Sequence, residues 1–350
     1  MGNLILPSQI HSYSLLTGAG FTKNFGGYLA QDMWAQIFNH PAICADSQLK
    51  SILRDDFDYE SFYYTVTGTD IYSDSQKEIV RKATFDAYQK LDEIVRTWMF
   101  RSDVGNPLNI YRLNKFISEF EGSKNCPGFF FTLNQDLFIE RRYIPDVRKI
   151  RPSLPGVKFG GPNWESIKSN LELKPQDDPL LFPHLAADKN RCLKQIQEEV
   201  ANSKLVYIKL HGSWNWLSSE NKTPQMVIGR GKRIAMRQEP LLEIYYELFG
   251  QVLKRQNHKL MIIGYGFGDD HINQVIADAI QHNDLKVHIV NPSSPKAFKD
   301  WICKTPAGNV IWEGLFGYYP NTLLDIFPTD GLISIPLKQI FTSMFERQPY

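Results

Sequence analysis

The chain has 350 residues, of which 43% are hydrophobic and 22% charged, as in ordinary globular proteins and unlike disordered ones. Its 39 Lys and Arg residues nearly balance its 38 Asp and Glu residues, so the overall charge gives no reason to expect nucleic-acid binding. The four cysteines form no CxxC pair, which predicts neither a zinc site nor a disulfide framework. No signal peptide and no apolar run of the roughly 20 residues that span a membrane are visible, so we expect a cytoplasmic protein.

Five short apolar runs predict buried strands of a parallel sheet, because they are continuous rather than alternating. Helical patterns lie between several of them. Open α/β sheets bind ligands beyond the carboxyl ends of their strands, so the residues after each run are candidate site residues. The predicted fold class is α/β, with a Rossmann-like, mainly parallel sheet, helices on both faces and an inserted helical module. The runs are Ser12–Leu16, Gly128–Leu133, Leu205–Leu210, Leu260–Ile263 and Val287–Val290.

The remaining segments differ in composition. Residues 40–120 carry an apolar stripe at helical spacing and are predicted to form a helical insertion. Residues 145–190 contain seven prolines, which exclude long helices and predict an extended lid or loop over the sheet. Residues 320–350 mix aromatic residues and prolines without a clear period and are assigned to a C-terminal extension. We expect one domain that spans residues 1–350.

A glycine-rich turn follows the first run, and tandem glycines come shortly after it. Glycines there would let the backbone approach a pyrophosphate, with N–H groups at the next helix start donating to it. Either glycine pair could instead be a tight turn without a ligand. The candidate cofactor-binding residues in this stretch are Gly18, Ala19, Gly20, Phe21, Thr22, Gly26 and Asp32.

Polar side chains follow the second and third runs. Asn134 and Asp136 could face one pocket and bind a carboxamide and a ribose, or they could form an Asx-type turn that caps the next helix. His211 is placed to act as a general base or to bind a ribose hydroxyl. Trp214 and Trp216 could line an apolar pocket or belong to the core.

Alternating glycines follow the fourth run and imply a backbone that another group approaches closely. The acidic pair and histidine that come next, Asp269, Asp270 and His271, suggest a metal site. Because a helix begins immediately, an N-cap role for one of the aspartates is the favoured interpretation, and no metal is expected. After the fifth run, Asn291 could bind a ribose or an adenine edge. The candidate cofactor-binding residues of the glycine stretch are Gly264, Tyr265, Gly266 and Phe267.

Taken together, these strand ends resemble the sirtuin-like NAD-binding family. The stretch Gly18–Thr22 matches the family's phosphate-binding loop, and Asn134 and Asp136 match its Asn-x-Asp, which holds the nicotinamide carboxamide and its ribose. His211, in Lys-Leu-His-Gly, matches the catalytic histidine. The stretch Gly264–Asn273 is similar to the Gly-Tyr-Ser-Phe-Gly-Asp-x-His-Ile-Asn signature of bacterial sirtuin-like proteins, with glycine in place of serine.

Two departures from sirtuin deacetylases qualify this resemblance. The CxxC pairs of their zinc module are absent, and residues 28–32 read Tyr-Leu-Ala-Gln-Asp where a Pro-Asp-Phe-Arg equivalent would stand. With the helical insertion, they imply similarity to bacterial antiphage NAD hydrolases, some of which act beside a hexameric ATPase of the HerA type. The resemblance therefore implies NAD as the substrate, no zinc, and cleavage of the nicotinamide–ribose bond. Asn134 would orient the carboxamide or the attacking water, Asp136 would support the ribose or the developing positive charge, and His211 would contact the ribose or activate water.

Three alternatives remain open at this point. They are a protein deacylase with the same cofactor, a non-catalytic sensor of NAD or ADP-ribose, and an enzyme associated with nucleic acid. The last rests on a basic cluster around residues 230–233, which is usually a solvated face, so direct nucleic-acid binding is not expected. An unrestrained NAD hydrolase would kill its host, and we therefore expect a homo-oligomer that is held in check by its own interfaces or by a HerA-type partner.

Overall fold

Six parallel strands form one central sheet in the computed structural model. Their spatial order is β3-β2-β1-β6-β7-β8, and each neighbouring pair is parallel. The predicted α/β fold class is confirmed. The strands are β1 (Tyr13–Thr17), β2 (Gly128–Thr132), β3 (Leu205–Lys209), β6 (Lys259–Ile263), β7 (Lys286–Val290) and β8 (Leu315–Tyr319), with a separate antiparallel pair of β4 (Gly212–Leu217) and β5 (Pro224–Met226). The described residues are 4–97, 108–143, 150, 152–157, 188–217, 224–226, 228 and 239–350.

Strands β2, β3 and β6 form because their side chains are mostly apolar on both faces. Every residue of β2, β3 and β6 is buried, so helices or loops cover both sides there. In β2, the rings of Phe129 and Phe131 stack 5.9 Å apart on one face. On the opposite face, Phe130 meets Tyr207 of β3 edge to face at 5.4 Å.

Helices connect the strands and surround the sheet. Five of the described helices fall within residues 41–118, where the sequence predicted a helical insertion. The domain boundaries proposed from the sequence remain predictions. Within the described part of the chain, no helix combines the length and apolarity needed to cross a lipid bilayer. The helices are α1 (Ala19–Thr22), α2 (Ala30–Phe38), α3 (Pro41–Ala45), α4 (Ser47–Asp55), α5 (Tyr59–Thr67), α6 (Asp74–Thr97), α7 (Ile110–Ser118), α8 (Phe138–Tyr143), α9 (Lys189–Asn202), α10 (Pro240–Leu253), α11 (Asp270–Asn283), α12 (Pro295–Ile302), α13 (Pro306–Glu313), α14 (Leu323–Ile326) and α15 (Ile335–Met344).

The proline-rich segment of residues 145–190, for which a lid or loop was predicted, lies mostly outside the described residues. Of its described residues, 152–157 run along the edge of the sheet, and the last two, 189 and 190, already belong to α9. Ser153 forms a parallel bridge to Val206, in which its N–H donates to the Leu205 carbonyl oxygen at 2.9 Å. This short stretch therefore covers the otherwise open edge of β3.

The C-terminal part contains more structure than the sequence predicted. Strand β8 pairs with β7 at the edge of the sheet, and α14 and α15 lie within residues 320–350. Pro336 occupies the first turn of α15, where a missing backbone N–H costs no helical hydrogen bond. Several aromatic residues of this part pack inside the protein; Phe327, Phe341 and Phe345 all contact Phe116 of α7.

Candidate active site

A cavity of about 480 Å³ opens beyond the carboxyl ends of the strands. It lies at the junction of β1 and β6, where the order of the strands reverses, which is where open α/β sheets place their ligand sites. Its volume falls within the roughly 300–1,000 Å³ of small-molecule pockets. The predicted site residues that line it are Gly18, Ala19, Gly20, Asn134, Asp136, His211, Gly264, Tyr265, Gly266 and Asn291.

Two glycine loops form the floor of the cavity by direct backbone contact. A Cβ added to Gly18 would lie 2.7 Å from the Gly264 carbonyl oxygen, and one added to Gly264 would lie 2.2 Å from the Phe21 nitrogen. Gly264 also has a φ of +67°, a conformation that favours glycine. The sequence predicted that some group approaches the Gly264 backbone closely. That group is the glycine loop after β1, through Gly20 and Phe21.

This packing leaves fewer amide donors for a pyrophosphate than the sequence suggested. The Gly18 N–H donates to the Ile263 carbonyl oxygen at 3.0 Å, and the Gly20 N–H donates to that of Gly264 at 2.9 Å. The N–H of Phe21 donates to the Gly18 carbonyl oxygen at 2.9 Å. A Cβ at Gly266 would meet nothing within 4 Å, so the approachable backbone lies on the second loop.

Asn134 is anchored through its amide nitrogen. Its Nδ2 donates to the Gly18 carbonyl oxygen at 3.1 Å and to Thr22 Oγ1 at 3.4 Å, and its backbone N–H donates to Thr132 Oγ1 at 3.1 Å. These contacts fix the amide plane, with the nitrogen towards the first glycine loop. The amide oxygen is then the group that Asn134 can offer to a substrate NH₂, hydroxyl or water.

Asp136 combines a structural and a candidate chemical role. Its Oδ1 accepts the N–H of Phe138 at 2.9 Å at the start of α8, which is the turn interpretation raised above. Its Oδ2 accepts the hydroxyl of Thr22 at 3.1 Å. Burial raises the pKa of Asp136 above the usual range, against the opposing effect of the Lys209 ammonium.

A buried ion pair between Lys209 and Glu140 stabilises the segment that follows β2. Lys209 Nζ lies 2.8 Å from Glu140 Oε1 with both side chains fully buried, and it also donates to the backbone carbonyl oxygen of Asp136. The hydroxyl of Tyr207 donates to Glu140 Oε2 at 3.3 Å. Burial raises the pKa of Glu140 although Lys209 opposes the shift. The cation therefore holds the Asp136 backbone in place.

His211 follows β3 and is 3% exposed on the cavity wall. Its Nε2 lies 3.2 Å from the Nε2 of His271 at the start of α11, so the two rings meet edge to edge. Its carbonyl oxygen accepts Gln135 Nε2 at 3.4 Å, which ties the end of β3 to the end of β2. The following tryptophans belong to the core: Trp214 packs against Phe85 and Trp216 against Tyr245.

The stretch Gly264–Asn273 is held in shape by two of its own side chains. The hydroxyl of Tyr265 donates to Asn273 Oδ1 at 2.9 Å, and Asn273 Nδ2 donates to the Phe267 carbonyl oxygen at 2.9 Å. Phe267 has a φ of +56°, which is uncommon for a residue with a side chain. Asp269 occupies the N-cap position of α11, as expected, but its side chain makes no capping hydrogen bond.

Five predicted cofactor-binding residues do not line the cavity, and each has a local structural role. Phe21 packs on Phe25 and Phe138 in the core. The Thr22 hydroxyl accepts a hydrogen bond from Asn134 Nδ2 and donates one to Asp136 Oδ2. Gly26 adopts a φ of +82° in a tight turn, the ligand-free alternative considered above. The remaining two are Asp32, which pairs with Lys23 at 2.7 Å and accepts the Leu29 N–H, and Phe267, which packs on Tyr265 and Phe298.

The helices of residues 41–118 contribute a wall of the cavity that sequence reasoning missed. Tyr59 and Glu60 come from α5, and Tyr88 and Leu91 come from α6. The hydroxyls of Tyr59 and Tyr88 lie 3.1 Å apart, and burial raises the pKa of both groups, so they stay protonated. No local pattern marks these residues; only the apolar stripe of α6 predicted that this face packs against the core.

A sequence model of the SIR2-like domain matches residues 128–304, just over half of the chain. The chain belongs to the SIR2-like domain family. The match begins at β2 and includes Asn134, Asp136, His211 and the stretch Gly264–Asn273, and it leaves the first glycine loop and helices α2–α7 outside. SIR2-like domains are typically NAD-dependent enzymes, and NAD is thus the substrate that membership indicates. No curated protein matches the chain.

Proposed function

We propose that this SIR2-like protein is an NAD hydrolase that cleaves the nicotinamide–ribose bond and releases nicotinamide and ADP-ribose. The observation that carries the proposal is the convergence of Asn134, Asp136 and His211 on one cavity at the strand-order reversal. They are the three residues in which the sequence resembles the catalytic motifs of the sirtuin-like family.

The chemistry follows from how this bond breaks. Nicotinamide leaves as a neutral ring and the ribose becomes an oxocarbenium-like cation, so the protein has to orient the two parts and stabilise positive charge. The oxygen of Asn134 accepts a hydrogen bond from the carboxamide NH₂ or from the attacking water. The buried carboxyl group of Asp136, when ionised, supports the developing charge, and His211 binds the ribose hydroxyls or takes the proton from water.

We propose further that the protein acts in bacterial antiphage defence by depleting NAD. This proposal rests on the resemblance described above and on helices α3–α7, of which α5 and α6 supply part of the cavity wall. A non-catalytic sensor of NAD or ADP-ribose would use the same cavity. Turnover distinguishes the two, because a sensor binds NAD without releasing nicotinamide.

Hydrolysis is tested with the purified full chain by following nicotinamide release from NAD by chromatography. We expect Asn134→Ala and His211→Ala to reduce turnover at least 100-fold, since each removes a group that positions or activates a reactant. Matched controls are Asn202→Ala and His282→Ala, which remove exposed side chains away from the cavity and should keep wild-type rates. Wild-type turnover in both cavity variants would refute the site assignment, and NAD binding without turnover would favour the sensor.

A further inference from the structure

We propose that His211, His271 and Asp269 form a binding site for a divalent transition-metal ion such as Zn²⁺, Co²⁺ or Ni²⁺ on the wall of the cavity. Among the described residues, they are the group of His, Cys, Asp or Glu side chains whose ligand atoms come close enough together, all within 4.8 Å of one another. The ligands come from the end of β3 and the start of α11. This site differs from a structural zinc site built from cysteines, and the sequence alone predicted no metal here.

The distance between the two imidazoles fits shared coordination. Their Nε2 atoms lie 3.2 Å apart. In a tetrahedral site with zinc–nitrogen bonds of about 2.0–2.1 Å, two ligand nitrogens are about 3.3 Å apart. Without an ion, one Nε2 donates its proton to the other at the same distance. An ion that binds both nitrogens takes the place of that shared proton, which moves to Nδ1 of the same ring, so both imidazoles stay neutral.

Asp269 supplies the anionic ligand. Its backbone is fixed because its N–H donates to the Tyr265 hydroxyl at 3.1 Å, and its carbonyl oxygen accepts that hydroxyl at 3.2 Å. The carboxylate makes no capping hydrogen bond to α11 and comes within 4.8 Å of both imidazoles. Coordination requires a rotation of this side chain that moves one oxygen closer to the two nitrogens. Two imidazoles with one carboxylate suit zinc, cobalt or nickel, whereas calcium and magnesium prefer all-oxygen sites.

The surroundings hold the ligands in place and leave one position open. The Tyr246 hydroxyl donates to the His271 carbonyl oxygen at 3.1 Å, and His211 is anchored at a strand end. Three protein ligands leave a fourth tetrahedral position, which can face the cavity that His211 and Asp269 line. A bound ion would occupy the His211 nitrogen, so it should inhibit hydrolysis; this last consequence rests on the proposed function.

Metal binding is tested without NAD, so its outcome does not depend on hydrolysis. Untagged full-length protein, first treated with chelator, is titrated with Co²⁺ while visible absorption is recorded, and with Zn²⁺ in a calorimeter. We expect one ion per chain. His271→Ala and the isosteric Asp269→Asn should weaken binding at least tenfold, while His282→Ala, on the exposed side of the same helix, should bind like the wild type.

Two results would overturn the site: no stoichiometric binding by the wild type, or unchanged affinity in a folded His271→Ala variant, with folding checked by circular dichroism. Inhibition is measured separately. Zn²⁺ should inhibit nicotinamide release by the wild type. The Zn²⁺ concentration that halves the uninhibited rate should be at least tenfold higher for His271→Ala than for the wild type. If the protein binds cobalt but never releases nicotinamide, the metal site is supported and the proposed hydrolase activity is refuted.

Discussion

Asp136 illustrates how one side chain can serve both the fold and the site. Its two oxygens accept hydrogen bonds from Thr22 and from the first turn of α8, while the residue lines the cavity with 6% of its surface exposed. Burial raises its pKa, so the protonated form persists to a higher pH than in an ordinary aspartate. Only the ionised form can support a cationic ribose.

The pH dependence of turnover follows from this shift. We expect the rate of NAD hydrolysis to fall as the pH drops through the raised pKa of Asp136, which lies above the about 3.9 of a solvated aspartate. Rate profiles at saturating NAD should show this acid limb in the wild type and in Asp300→Asn, an exposed control. The residual rate of Asp136→Asn should lack it. An acid limb that persists in Asp136→Asn would assign it to another group.

At the scale of elements, the loop between β6 and α11 depends on Asn273. This side chain is 1% exposed and binds both the Tyr265 hydroxyl and the carbonyl oxygen of Phe267, the residue with positive φ. Removing it takes the side-chain donor from the buried Phe267 carbonyl oxygen and leaves the Tyr265 hydroxyl with the Asp269 carbonyl oxygen as its acceptor. The loop that carries Gly264 and Gly266 to the cavity would then lose its fixed shape.

We expect Asn273→Ala to lower the free energy of unfolding by about 1–3 kcal/mol, the usual cost of an unsatisfied buried partner. It should also raise the KM for NAD more than it lowers kcat, because it acts on the loop rather than on the reacting groups. Urea unfolding and steady-state kinetics measure the two effects, with Asn202→Ala as the exposed control. An unchanged KM in a destabilised variant would restrict Asn273 to a purely structural role.

The elements show which features could be predicted from the sequence. The five buried strands were predictable because continuous apolar runs mark strands covered on both faces. Strand β8 was missed because it lies at the edge of the sheet, contains Gly317 and exposes Phe316, so it has no such run. Asn134 and His211 could be placed together because parallel strands end at one edge. The contribution of Tyr59 and Tyr88 to the cavity wall could not be predicted, because it depends on how helices distant in sequence pack against the sheet.

For the molecule as a whole, buried neutral histidines link stability to pH. Burial lowers the pKa of His258, which bonds Ser14 Oγ at 2.8 Å, to about 3, and that of His288 to about 4. The unfolded chain binds these protons near pH 6.5, whereas the folded protein does not. Stability from this source is therefore present above pH 6.5 and is lost as the pH falls towards the folded pKa.

Between pH 7 and pH 5, His258 alone should account for a loss of about 2 kcal/mol in the free energy of unfolding, at about 1.4 kcal/mol per pKa unit. Urea denaturation at both pH values measures this loss. His258→Gln can keep a hydrogen bond to Ser14 without titrating, so it should reduce the difference between the two pH values. His282→Ala, at an exposed site, should not. An equal pH dependence in all three proteins would show that His258 binds its proton equally in the folded and unfolded states, contrary to the lowered pKa.

We also propose that the protein works as a homo-oligomer restrained by assembly, alone or with a HerA-type ATPase. Apolar side chains that remain exposed, among them Trp301, Phe316 and Ile335 at 52%, 55% and 72%, are candidate contacts. Light scattering at micromolar concentration should give a multiple of the 40.4 kDa chain mass, and adding the ATPase should change the rate of NAD turnover. A fully active monomer would contradict restraint by assembly, and an unchanged rate with the ATPase would leave that partner without a role.

The contact between the two glycine loops also bears on how the protein is made. Strand β1 and the Gly18 loop are synthesised before their neighbours β6 and Gly264, which follow much later in the chain. Chains fold progressively as they leave the ribosome. A nascent chain therefore cannot close the cavity until β6 has emerged. On the proposed function, an enzyme that consumes the cell's NAD would remain catalytically incomplete until β6 and the Gly264 loop had been translated.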